Sequence, residues 1–92
     1  MDYLQQLKAN LEIGTSMRDD YLKELIRTAK AVLEREGIPE PETENGYAPP
    51  EYRNLVVMYA AYYYRKRADD TAKMPDMLRY ARNSYLLHLK ME

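Results

Sequence analysis

The chain has 92 residues, a formal charge of −1, one histidine and no cysteine, tryptophan or phenylalanine. That excludes a disulfide framework, a Cys-based zinc site, a cysteine nucleophile and a multi-histidine metal centre. All ten aromatic residues are tyrosine, a side chain whose polar tip wants water or a hydrogen-bond partner, so surfaces as well as a core are being equipped.

Met1-Asp2-Tyr3-Leu4 lacks the charged and apolar regions of a signal peptide, and the longest apolar run, Leu55 to Tyr64, is half the length a membrane span needs. A single domain over residues 1–92 in a reducing compartment is expected. Asp2 can cap a short first helix with Leu4, Leu7 and Leu11 on one face. Gly14-Thr15-Ser16 is expected to end that helix and start the next, with Ser16 and Asp19 in a capping-box relation. The second helix, about residues 17–36, carries the apolar stripe Leu22, Leu25, Ile26, Ala29, Val32 and Leu33. Asp19–Lys23 and Lys30–Glu34 are placed as i,i+4 ion pairs on its wet side. Gly37 supplies the stop, and Pro39 and Pro41 forbid continuation.

Residues 37–49, GIPEPETENGYAP, read as a mobile Pro/Glu-rich connector with few groups to bury and an Asn45-Gly46 turn signal. Pro50 suits the first position of a third helix reaching about Ala68. From Leu55 to Tyr64 this helix is apolar on every side, which places it at the centre of the fold or against another chain. Asp69 to Lys73 forms a loop, and Pro75 starts a fourth helix with two apolar stripes. Leu78, Tyr85 and Leu89 form one; Met77, Tyr80, Ala81, Leu87 and Met91 form the other. One stripe is enough for a monomer's core, so the second either meets another chain or is wrapped by the bundle. The fold class is all-α, a small bundle of about four helices with the connector between helices two and three.

No constellation for chemistry emerges. His88 near a helix end suits the macrodipole, Asp19-Asp20 suits a helix first turn, and Asp69-Asp70 lacks the spaced oxygen ligands of a calcium loop. With no phosphate cradle or Ser–His pattern, neither an enzyme nor a cofactor is expected. Tyr62-Tyr63-Tyr64 followed by Arg65-Lys66-Arg67 could stack on or neutralise nucleic acid, and three bases at a helix C-terminus also satisfy the macrodipole without a ligand. A pI near 5.9 argues against a sequence-reading DNA binder and leaves at most non-specific contact with DNA.

The charge is polarised. Residues 1–47 carry six basic and ten acidic side chains; residues 48–92 carry eight basic and five acidic. The acidic pole is Glu34, Glu36, Glu40, Glu42 and Glu44; the basic pole is Arg65-Lys66-Arg67, Lys73, Arg79 and Arg82. Such poles suit head-to-tail association or are simply solvated surface. The tyrosines Tyr59, Tyr62, Tyr63 and Tyr64 divide similarly between an interface and a core with tips reaching solvent.

Three stretches carry a resemblance to the head–tail connector (head-completion or adaptor) proteins of tailed phages. They are LKANLEIGTSMRDDYLKELIRTAKAVLE, with Leu11-Glu12-Ile13 before the Asp19-Asp20 turn, then LVVMYAAYYYRKR, and then the proline-started MPDMLRYARNSYLL. The resemblance implies a structural virion protein at the head–tail interface, made in the bacterial cytoplasm. It would bind the portal protein after DNA packaging, form a ring, usually twelve-fold, that extends the DNA channel, and present a surface to a stopper or tail-completion protein. On that reading Glu34 and Glu36 form one subunit face, and Arg65, Arg67, Arg79 and Arg82 the other. Tyr59, Tyr62 and Tyr63 are the desolvated anchors, and Tyr85, Leu86, Leu89 and Met91 are portal-docking residues. The alternative is a small cytoplasmic helical interaction module or regulator, with an auxiliary DNA-binding protein third.

Overall fold

A computed structural model describes residues 2–41 and 48–91. Four helices follow in order: α1 (Tyr3–Leu11), α2 (Asp19–Arg35), α3 (Pro50–Ala68) and α4 (Asp76–Lys90); no strand occurs among the described residues. The all-α, four-helix expectation holds.

Asp2 caps α1 through a full capping box. Its carboxylate accepts the Gln5 amide at 2.8 Å, and the Gln5 side chain accepts the Asp2 amide at 3.3 Å. The helix ends differently from expectation. Glu12, not Gly14, takes the left-handed conformation (φ 58°), because the Ile13 amide closes back onto the Lys8 carbonyl at 2.9 Å and the Glu12 amide onto Ala9 at 3.3 Å. The reversal lets Leu11 and Ile13 both pack on the core.

Ser16 does not cap α2 with its side chain. The Asp19 amide donates to the Ser16 carbonyl at 3.2 Å, Arg18 holds the cap position, and Asp19 and Asp20 compensate the positive helix end. The two expected i,i+4 pairs are replaced by longer-range ones. Asp19 pairs with Lys8 of α1 at 2.9 Å, and Lys30 pairs with Glu40 at 3.2 Å while standing 4.4 Å over the Tyr3 ring. Lys8 and Asp19 lie partly out of water, where opposite charges attract more strongly than on an exposed helix face.

Gly37 stops α2 as expected. At φ 94° it donates to Glu34, and the next amide, of Ile38, donates to Leu33 at 2.8 Å. This buries Ile38 completely, beside an equally buried Leu33. The connector therefore begins as core, in contrast to the expectation that it has few groups to bury. Residues 42–47, with the Asn45-Gly46 turn signal, lie outside the described residues.

α3 is the axis of the molecule: α1, α2 and α4 all pack on it. This is why its sequence is apolar all round. Tyr52, Leu55, Val56, Val57, Tyr59, Ala60 and Ala61 are buried, joined by Leu7, Leu22, Ile26, Ala29, Leu33, Ile38 and Leu78. Two core tyrosine tips differ sharply. The Tyr52 hydroxyl is buried with no hydrogen-bond partner among the described residues, whereas that of Tyr59 is fully engaged.

Between α3 and α4, Asp69 accepts both the hydroxyl and the amide of Thr71, at 2.7 and 3.0 Å. Those bonds hold the Asp69 carboxyl below the usual carboxylate range and shape the turn.

Candidate functional site

Three side chains from three segments meet where α2, α3 and α4 converge. The Tyr59 hydroxyl donates to the Glu36 carboxylate, 2.9 and 3.1 Å from its two oxygens. Arg82 donates to the same hydroxyl at 3.2 Å and to Glu36 at 3.0 Å. Burial pushes the Tyr59 hydroxyl up to about 12; the Arg82 hydrogen bond opposes the rise and Glu36 adds to it.

This triad holds three of the residues expected at a subunit interface. Tyr59 is fully buried within its own chain and offers no surface to a neighbour. Glu36 and Arg82, expected on opposite subunit faces, are partners inside one subunit. The cap at Gly37 places Glu36 over the flank of α3, where Arg82 of α4 also arrives, so their charges neutralise locally. The sequence signal for this was the basic residue on the core-facing side of the fourth helix, near Leu78 and Tyr85.

The remaining predicted residues are surface groups. Glu34 and Arg79 are exposed. Tyr62 and Tyr63 are half-buried with ring centres 5.4 Å apart, and Lys66 stands over Tyr62 at 5.7 Å. Arg65 reaches Asn10 of α1 at 3.3 Å. Arg67 lies over the Tyr21 ring at 4.8 Å, and Arg18 lies over Tyr64 and bonds its hydroxyl. Arg18, Tyr21, Tyr64 and Arg67 thus form one cationic–aromatic hollow across α2 and α3. Sequence reasoning found its α3 half and missed Arg18 and Tyr21. Its signal was an Arg–Tyr pair three residues apart in each helix, which places both members of a pair on one face.

α4 separates its two stripes cleanly. Leu78 is buried, and Ala81, Tyr85, Leu86 and Leu89 are packed against the core. Met77, Tyr80, Leu87 and Met91 are 60–80% exposed. Three of the four residues assigned to portal docking, Tyr85, Leu86 and Leu89, therefore face the chain's own core in part, and Ala81 leaves the outer stripe for the inner one. Leu86 is needed where α4 closes over Gly37, with its Cδ1 3.4 Å from the place a Cβ there would occupy. Met91 alone of that group projects fully. Beside the outer stripe a groove of about 960 Å³ runs between α3 and α4, with Met58, Met77, Tyr80 and Leu89 among its walls.

Among the described residues no three His, Cys, Asp or Glu side chains cluster as a metal site, and no helix is long and apolar enough to cross a membrane. Two surface features remain: a cationic–aromatic end of α3 and an apolar outer face of α4.

Searches among curated proteins and solved structures find no match. A family model does match, across residues 1–89, nearly the whole chain: the phage gp6-like head–tail connector proteins. By that match the chain belongs to the head–tail connector family of phages.

Proposed function

We propose that this connector attaches to the portal vertex once DNA has been packaged, assembles there as a ring that continues the DNA channel, and offers its far side to a stopper or tail-completion protein. The match to the connector family over residues 1–89 is the observation that carries the reading. Before assembly the chain resides in the bacterial cytoplasm, and afterwards at the head–tail interface of the virion.

A head-to-tail ring needs two different complementary faces on each subunit. With Tyr59, Glu36 and Arg82 committed inside the subunit, the outward groups that fit this need are Glu34 on one side and Arg65, Arg67 and Arg79 on the other. Tyr62 and Tyr63 are the half-buried rings left to be covered by a neighbour. The stacking of Arg67 on Tyr21 holds its guanidinium in place, so less side-chain freedom is lost on binding. Any contact with DNA in the channel is non-specific and electrostatic. At the portal, Met91 is the fully projecting candidate for docking.

The test is deletion of the gene. It should leave DNA-containing heads that fail to join tails, and the chain supplied in trans should restore joining. Normal infectious particles from the deletion would remove the reading. Within it, reversal of charge in Arg65→Glu with Arg67→Glu should abolish ring formation on the portal while the circular dichroism spectrum stays helical. Intact rings would show that these charges set no register.

A further inference from the structure

The outer stripe of α4 has a period that the core of one subunit does not use. Met77, Tyr80, Ser84, Leu87 and Met91 are spaced three, four, three and four residues apart. That is the strict a/d repeat of a coiled-coil seam, and it stands opposite the inner face that packs on α3. Of the five large apolar side chains left well exposed among the described residues, four are on this seam: Met77 at 77%, Tyr80 at 78%, Leu87 at 60% and Met91 at 80%. Scattered exposed apolar residues need no explanation; four on one helical line do.

We infer that this seam pairs with the α4 of a second copy of the chain, running antiparallel, across a two-fold axis near Ser84. Two features select this occupant and direction. The first is charge. Asp76 begins α4 and Lys90 ends it, and both flank the seam on the same side. A parallel pair brings neither Asp76 nor Lys90 to a charge of opposite sign, because residues on this flank then face the other flank of the partner, where Asp76 meets Ala81. An antiparallel pair sets each Asp76 near the partner copy's lysine, and also opposes the helix dipoles favourably. The second is the groove beside the seam, whose other wall is Asn54 and Met58 of α3. A helix laid along the seam leans into it, and two-fold symmetry makes each α4 the filling of the other copy's groove. The result is a four-helix arrangement, α3 and α4 from each copy, with small Ser84 at the crossing.

The seam is short, 14 residue steps or about 21 Å. Isolated helices of that length are marginal in water. Here α4 is already held helical by its packing on α3, so pairing orders side chains only. The contact is two-fold and closes at two subunits, unlike a head-to-tail ring, and does not rest on the portal reading. It keeps the apolar face covered in the free protein.

Sedimentation of the full-length chain from 5 µM to 0.5 mM tests this. The expected result is a concentration-dependent doubling of mass that is lost in Tyr80→Glu with Leu87→Glu, both exposed positions, at unchanged helicity. Orientation is read by cross-linking, since the chain has no cysteine of its own. A mixture of Met77→Cys and Met91→Cys proteins should oxidise to a disulfide-linked dimer at least tenfold faster than either variant alone. Asp76→Lys should weaken the dimer, and adding Lys90→Asp should restore it. A monomer throughout the concentration range, a dimer or larger species that survives the two glutamates, or self-linking of each single variant as fast as the mixture would overturn the inference.

Discussion

Replacing Arg82 by methionine keeps the aliphatic stem that packs on α3 and removes the guanidinium. Two interactions go: the 3.0 Å ion pair with Glu36 and the 3.2 Å hydrogen bond to the Tyr59 hydroxyl. Exposed ion pairs contribute about 0–1 kcal/mol, and breaking a fully buried one costs about 3–5. The side chains of Arg82 and Glu36 are 24% and 29% accessible, so this pair lies between those limits. We expect a loss of about 2 kcal/mol, which for a domain of this size lowers the Tm by roughly 8–12 °C. Tyr59 keeps its bond to Glu36, so the carboxylate is not stranded and the loss should stay below the fully buried figure. A double-mutant cycle of Arg82→Met with Glu36→Gln, followed by urea denaturation, should give a coupling energy of about 1–2 kcal/mol. Adding 0.5 M salt should reduce it by less than half, because the pair is partly shielded from solvent. A coupling below about 0.3 kcal/mol, or a Tm for Arg82→Met within 1 °C of the parent, would refute the view that this triad fastens α4 to the α2–α3 core.

The other consequences concern the tyrosines and glycines. Tyr59→Phe should cost about 1–2 kcal/mol, because its hydroxyl bonds two charged groups, whereas Tyr52→Phe should be neutral or stabilising by up to about 1 kcal/mol, because its hydroxyl is buried without a partner among the described residues; chemical denaturation of both variants checks the contrast. Burial raises the ionisation of both Tyr52 and Tyr59 above that of the unfolded chain, and the contribution of Tyr59 is fully present below about pH 10 and lost as pH rises through about 12. Absorbance at 295 nm and helicity should accordingly change together in that window, and ionisation of all ten tyrosines near pH 10 without unfolding would contradict it. Gly37→Ala should destabilise by about 1–2 kcal/mol, since it imposes a side chain on a φ of 94°, while Gly14→Ala meets open space and should fall within about 0.5 kcal/mol of the parent by thermal melting.

Long-period signals were legible in the sequence and short-range chemistry less so. The stripe on α2 and the all-round apolarity of α3 describe what each helix buries, and the double stripe of α4 matches its inner and outer faces except at Ala81, which joins the inner one. The ends of elements depended on local competition. Glu12 adopts the left-handed turn although a glycine stands two residues away, because the register of Leu11 and Ile13 fixes where the chain must reverse. Charge partners were the least legible, since Lys8–Asp19, Lys30–Glu40 and Glu36–Arg82 all join segments distant in sequence. A tally of acidic and basic poles cannot show that members of opposite poles meet within one subunit. Tyr59 was expected as an anchor at a subunit interface, whereas it is buried in its own chain with its hydroxyl on Glu36 and Arg82.

The most direct test of the connector account is cryo-electron microscopy of the portal vertex in particles assembled with this chain. The account predicts a ring of copies seated between the portal and the first tail component, enclosing the DNA path. A vertex in which the portal contacts the tail with no density for this chain would contradict it.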